Sequence, residues 1–227
     1  MPGRTEVPSA ILPRLDSERF YRELPGLFDD FPRSEHPRDR RFARIADEVE
    51  NLAKENNFAL LNLAASCLGE EDAYVEVGVF HGASLVAAML GNEDRRFVGI
   101  DSFEFRDATL DEVERNLKAF GLTRPELLVG DVFELVPAGA LKDLRAGVWY
   151  YDAPHTYEAQ LEGLRVAEPW LGPGALLIVD DTDWEQVERA MDDYLAEQPR
   201  ARRILTIDGR DRGFPQWWEG MQVLVWD

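Results

Sequence analysis

The sequence is short of cysteine, of positive charge and of long apolar runs. Cys67 is the only cysteine, which excludes an internal disulfide and any metal knuckle built on cysteine pairs. Lys and Arg number 25 against 44 Asp and Glu, for a formal net charge of -19. Phosphate backbones are held by clustered Lys and Arg, so nucleic acid is a disfavoured partner, and so is an anionic membrane surface. No apolar run approaches the roughly 18 residues that a membrane helix needs. The first residues lack the apolar stretch of a signal peptide, which leads us to expect a cytoplasmic protein. Histidine is scarce as well. His36, His81 and His155 are the only three, so an imidazole base has to be one of them.

What is present reads as two regions. Residues 1–40 form an irregular, partly helical extension, broken by Pro8, Pro13, Pro25, Pro32 and Pro37. Phe20, Tyr21, Leu24, Phe28 and Phe31 recur there at near-helical spacing, and Phe20, Tyr21 and Phe31 are candidates to cap a site as a substrate lid. From residue 41 onward the pattern is that of one domain, 41–227. Phe42, Ile45, Val49 and Leu52 lie on one helical face. Asn56 and Asn57 interrupt it, and a second helix is expected over 58–68. Short apolar strands then alternate with amphipathic helices. Strands are expected at 73–79, 96–101, 126–130, 148–151 and 175–179, and helices at 84–90, 110–120, around Leu161, Leu164 and Leu171, and along Trp184, Val187, Met191 and Leu195. Such alternation predicts an α/β fold, a Rossmann-like, doubly wound, mostly parallel sheet with helices on both faces. Two further strands, 203–208 and 222–226, have no crossover helix between them. They should pair antiparallel and give the sheet a reversed C-terminal edge strand.

The first candidate site follows the first strand: Glu76-Val77-Gly78-Val79-Phe80-His81-Gly82-Ala83-Ser84. Gly78 and Gly82 allow close approach of backbone to ligand, and the following helix offers N–H groups to an anion. Asp101 ends the second strand, where an acid accepts hydrogen bonds from ribose hydroxyls. A dinucleotide fingerprint needs a second Gly where Phe80 stands, so the loop suits a smaller anion such as a carboxylate. Glu76 suits an ammonium group. A ligand with an amine, a carboxylate and a ribose is S-adenosylmethionine.

The run E-V-G-V-F-H-G-A-S resembles motif I of class I S-adenosylmethionine-dependent methyltransferases, in the group that includes macrocin-type antibiotic-tailoring O-methyltransferases. The resemblance spans about 41–227. It implies that Glu76, Gly78 and Ser84 line the methionine part of the cofactor, with Gly82 in the same loop. It further implies that Asp101 and Ser102 hold the ribose and that Asp131 sits near the adenine.

The second candidate site is Asp152-Ala153-Pro154-His155, after the fourth strand, with Asp180-Asp181 after the fifth. Ligands of open α/β sheets bind beyond the carboxyl ends of the strands, so Asp152, His155, Asp180 and Asp181 should converge there. Clustered carboxylates repel unless a cation binds, and a hard divalent ion, Mg²⁺ by default, is the natural partner of Asp152, Asp180 and Asp181. Helix capping by Asp180 and Asp181 is the plainer alternative. The pattern resembles the related group's D-G-x-H-x-Y and acidic pair, with Ala153 in place of the Gly. His155 is the leading general base, Asp152 a second activating group, and His81 a competitor. Trp184, Phe214, Trp217 and Trp218 read as core, subunit contact or pocket wall. The expected activity is methyl transfer, metal-assisted, to a hydroxyl of a small-molecule acceptor such as a sugar or a phenol. A nicotinamide-dependent oxidoreductase and a non-catalytic cofactor-binding scaffold are the alternatives, and a homo-oligomer stays open.

Overall fold

The computed structural model of the chain describes residues 15–123 and 125–227; Pro8 and Pro13 lie outside them. The elements run in chain order as α1 (Ser17–Glu23), α2 (Arg41–Glu48), α3 (Glu55–Ser66), β1 (Asp72–Val77), α4 (Ala83–Met89), β2 (Arg96–Asp101), α5 (Leu110–Ala119) and β3 (Glu126–Val129). They continue as α6 (Val132–Leu135), β4 (Arg145–Tyr151), α7 (Tyr157–Arg165), β5 (Leu171–Asp180), α8 (Glu185–Glu197), β6 (Ala201–Ile207) and β7 (Met221–Trp226). One seven-stranded sheet carries them in the order β3-β2-β1-β4-β5-β7-β6. The first five strands are parallel. β7 runs against both β5 and β6.

The reversed strand therefore stands one place in from the edge expected for it, and β6 forms the edge. A connection with only two single 3-10 turns, Arg210–Arg212 and Pro215–Trp217, lets β7 fold back beside β6, and the apolar run Val223-Leu224-Val225 then fills the slot against β5. Alternation along the strands splits the core. Tyr74, Val148, Tyr150, Leu176, Ile178 and Val223 pack with α1 to α5 on one face. Val75, Val77, Trp149, Tyr151, Leu177 and Val179 pack with α6, α7 and α8 on the other.

Two helix boundaries differ from expectation for local reasons. α3 begins before Asn56 and Asn57 rather than after them. Asn57 Oδ1 accepts from the Lys54 N–H and Asn56 Nδ2 donates to the Ser34 carbonyl, so both amides support the helix start. α2 stops at Glu48 and does not reach Leu52. Asn51 Nδ2 caps the carbonyls of Ala46 and Val49, and the chain turns extended at Val49. Among the described residues no helix is long and apolar enough to cross a membrane.

The N-terminal extension touches the sheet at both ends of its strands. Leu15 and Ser17 lie against Gly174, at the start of β5, and Phe20 is fully buried. Phe28 and Phe31 instead pack on Trp217, in the β6–β7 connection, whose indole N–H donates to the Pro32 carbonyl at 2.8 Å. Phe20 is thus core, while Phe31 is half-buried against Phe28 and Trp217. Tyr21 is exposed.

Candidate active site

The loop after β1 is held by backbone. Gly78 N–H donates to the Ile100 carbonyl and Asp152 N–H to the Val77 carbonyl, each at 2.9 Å. Gly78 has φ +90°, and a Cβ there would lie 1.8 Å from the Asp152 carbonyl oxygen. No other residue fits, because the turns after β1 and β4 touch at this point. Gly82, at φ +87°, opens α4.

Asp101 organises the same loop. Its Oδ2 accepts from Val79 N–H at 2.7 Å and Phe80 N–H at 2.8 Å, and its Oδ1 from Phe103 N–H at 2.6 Å. Phe80 and Phe103 both have left-handed φ, 52° and 54°, and these charge-assisted bonds hold them there. A carboxylate offers about four lone-pair positions, so three are taken. The loop N–H groups of Val79 and Phe80 are occupied by Asp101, which leaves the start of α4, as expected, to bind an anion. Ser102 is exposed beside it.

Glu76 is fully buried. Ser84 Oγ donates to its Oε1 at 2.7 Å and Tyr74 Oη lies 3.1 Å from its Oε2. Burial pushes its pKa up to about 8 against the opposing effect of these two hydroxyls, with the charges of Asp152 and Asp101 adding to the rise. At neutral pH it is mostly a neutral acid, ready to ionise beside a cation.

Beyond β4 and β5 the structure brings together Asp152, His155 and Asp181. One ligand atom from each lies within 4.8 Å of the others. His155 Nε2 is 3.1 Å from Asp181 Oδ2 and 3.6 Å from Asp152 Oδ1. Burial works to lower the His155 pKa, but the hydrogen bond and charge of Asp152, with the charge of Asp181, carry it above the usual value. Asp181 is raised to about 7, by burial first and Asp152 second, with His155 opposing. Trp184 sets its ring edge-on to His155 at 5.2 Å and is part-exposed.

Asp180 does not join them. It is buried, with Tyr150 Oη 2.6 Å from its Oδ2, while the same hydroxyl lies 3.1 Å from Asp152 Oδ2. Tyr150 Oη is the donor toward both carboxylates. Burial, then Asp152 and Asp181, push the Asp180 pKa well above the carboxylate range. Of the three acids expected to share a cation, Asp152 and Asp181 lie together beside His155, and Asp180 stands behind them on Tyr150. The cause is strand alternation. Asp180 ends β5 facing the core, and Asp181, at φ 56°, turns the other way. Neither acid accepts a bond from the first turn of α8, so the capping alternative for this pair finds no support.

The remaining residues are dispersed. Asp131 caps α6 through Phe133 N–H at 2.8 Å. His81 is buried on the outer side of its loop, 3.4 Å from Glu112 and 3.8 Å from Glu50, and is not with His155. His36 pairs with Glu55 at 2.9 Å instead of being fully solvated. Trp217 is core, and Trp218 lies between the cations of Lys54 and Arg210. Sequence reasoning missed the hydroxyls of Tyr74 and Tyr150. Each stands two residues before an acid, Glu76 and Asp152, and the two-residue period of a strand puts such pairs on one face.

Residues 75–182, which include all three acids and the glycine loop, match the family model described as a methyltransferase domain. No curated protein matches the sequence. Among solved structures, the O-methyltransferase TomG from Streptomyces achromogenes, involved in tomaymycin synthesis and bound to S-adenosylmethionine, is 17% identical. The match covers 96% of this chain and 99% of that one, with a TM-score of 0.63. An O-methyltransferase from Bacillus cereus in complex with S-adenosylhomocysteine is 15% identical over 84% of this chain and 92% of the other, with a TM-score of 0.62. A TDP-rhamnose 3′-O-methyltransferase of calicheamicin biosynthesis is 20% identical over 92% of each chain, with a TM-score of 0.57. Residues 75–182 therefore resemble a methyltransferase domain, and the chain as a whole has the fold of these O-methyltransferases.

Proposed function

We propose that the protein transfers the methyl group of S-adenosylmethionine to a hydroxyl of a small-molecule acceptor, a sugar or a phenol, with a divalent cation at Asp152 and Asp181. The observation that carries this is the cluster of Asp152, His155 and Asp181 beyond the ends of β4 and β5, on the same sheet edge as the 78–82 loop. The cofactor's groups fit the residues there. Glu76 is a buried acid that gains by ionising next to an ammonium, with Gly78, Gly82 and Ser84 around it. Asp101 keeps one acceptor position for a ribose hydroxyl beside Ser102, and Asp131 lies beyond β3 toward the adenine. Two close carboxylates with room for water and substrate oxygen fit Mg²⁺.

When bound, such a cation lowers the pKa of a coordinated hydroxyl. With its charge answering Asp152 and Asp181, His155 no longer has cause to hold a proton, and Nε2 becomes free to accept the one leaving the acceptor. Trp184 supplies a flat, part-exposed wall beside that nitrogen. Most of the rate comes from holding the acceptor oxygen in line with the methyl group. The acidity of the chain favours a small molecule over nucleic acid or membrane, and a cytoplasmic protein. The domain reading is 41–227, with 1–40 as an extension that reaches the catalytic edge through Phe31 and Pro32.

The test is methyl transfer to a panel of sugar and phenolic acceptors, with and without Mg²⁺. His155→Ala should lower kcat by about 10²–10⁴-fold, and Asp181→Asn should remove the Mg²⁺ dependence while cofactor affinity holds. Full activity of His155→Ala across pH 6–9 (about the range where an imidazole matters) would remove His155 from the chemistry. Mg²⁺ dependence surviving in Asp181→Asn would remove the cation from this place.

A further inference from the structure

A second cluster stands apart from the one just described, beyond the ends of β1 and β2. Three segments meet there: the turn after α2, with Glu50; the 78–82 loop, with His81; and the connection from β2 to α5, with Asp107. One ligand atom from each of these residues lies within 4.8 Å of the others. His81 is 4% exposed. Its Nε2 is buried without a hydrogen-bond partner and lies 3.8 Å from Glu50 Oε2. A buried polar nitrogen left unpaired costs about 1–3 kcal/mol, and such groups are rare without a ligand or water.

The rest of His81 is fixed. Its Nδ1 lies 3.4 Å from Glu112 Oε2 in the first turn of α5, and Thr109 Oγ1 donates to that same oxygen at 3.2 Å. Asn116 Nδ2 donates to the His81 carbonyl at 2.9 Å, and the Phe80 ring packs edge-on at 4.1 Å. A carboxylate behind one ring nitrogen sets the tautomer that presents the other as a ligand.

We propose that Glu50, His81 and Asp107 form a second cation site, for a borderline ion of the Zn²⁺ class, which pins the cofactor loop to its two neighbours. A single imidazole nitrogen with two carboxylates suits Zn²⁺, which takes such ligands in tetrahedral sets and leaves the fourth position to water. Mg²⁺ prefers oxygen throughout. Ligand atoms around Zn²⁺ are about 3.4 Å apart, so the cluster needs to tighten only slightly. Glu50 and Asp107 are exposed and free to do so, while His81 is the fixed anchor. The ion would tie together three loops that border the cofactor and stabilise the fold without taking part in methyl transfer.

The experiment uses the full chain with Asp152→Asn and Asp181→Asn, which disables the other cluster. Zn²⁺ is titrated by calorimetry, and Co²⁺ by its visible absorption. One equivalent should bind, and the melting temperature should climb with free Zn²⁺. Glu50→Gln and Asp107→Asn, added singly at exposed positions that the fold tolerates, should each weaken binding at least about tenfold. His81→Ala should abolish it. The proposal is overturned if the starting variant binds neither ion, or if Glu50→Gln and Asp107→Asn both bind as tightly as their parent; the His81 nitrogen would then be paired with nothing but a proton.

Discussion

Glu76→Gln isolates the acid that the account places beside the cofactor's ammonium. In the folded protein burial raises the Glu76 pKa to about 8, from the ordinary 4.5 of a glutamate in an unfolded chain. The folded state therefore binds the proton more tightly, and the stability it confers is present at low pH and is lost as pH rises from the unfolded value through 8. Between pH 6 and pH 9 the fold keeps this proton over about two pH units in which the unfolded chain has already released it. At roughly 1.4 kcal/mol per unit, wild type should lose on the order of 2–3 kcal/mol across that range through this one residue. Gln keeps the neutral shape: Ser84 still donates to its carbonyl oxygen, and its amide donates to Tyr74 Oη. Urea unfolding of both proteins at pH 6 and pH 9 gives the answer as a double difference, in which every other titrating group cancels. The variant should gain on the order of 2–3 kcal/mol on wild type between the two conditions. An unchanged difference would mean that Glu76 is ionised inside the fold, held by Ser84 and Tyr74 alone, and the reasoning from burial would fail.

Gly78→Ala puts a methyl group 1.8 Å from the Asp152 carbonyl at φ +90°. Overpacking and backbone strain together should cost about 3 kcal/mol or more in urea unfolding; a stable, active alanine variant would refute the close approach of the two turns. Asp101→Asn leaves one of the N–H groups of Val79, Phe80 or Phe103 without its carboxylate oxygen. It should lower stability by about 1–3 kcal/mol even without cofactor, measured by thermal and urea unfolding. If only cofactor affinity changes, Asp101 is a ligand group and not the organiser of the loop.

The alternation of apolar strands and amphipathic helices was enough to read the doubly wound sheet, because β4 and β5 are buried on both faces and show it as the apolar runs Val148–Tyr151 and Ala175–Val179. The 96–101 strand was legible to the residue, ending at Asp101. The order of β6 and β7 was not, since either antiparallel strand of a pair can take the inner place and only packing against β5 decides it. In the site, Asp152, His155 and Asp181 were legible from their position after strands. Asp180 was misplaced beside them, because adjacent acids look equivalent in sequence while one faces the core and its neighbour, in a left-handed conformation, faces the cleft. The second role of Asp101 could not be read at all. It depends on where Val79, Phe80 and Phe103 point their N–H groups, and two of those residues adopt a backbone conformation that a phenylalanine seldom does. Phe20 was unreadable for the opposite reason: an aromatic residue outside a domain pattern looks free, and here it is fully buried in the core.

The central claim is that the loop from Glu76 to Ser84, with Asp101, holds S-adenosylmethionine. Calorimetric titration of the unmodified protein with S-adenosylhomocysteine tests it most directly. The account predicts a single site in the micromolar range, on the order of -8 kcal/mol, with the same affinity in Asp181→Asn. No binding at millimolar ligand, or binding that Asp181→Asn abolishes, would contradict it.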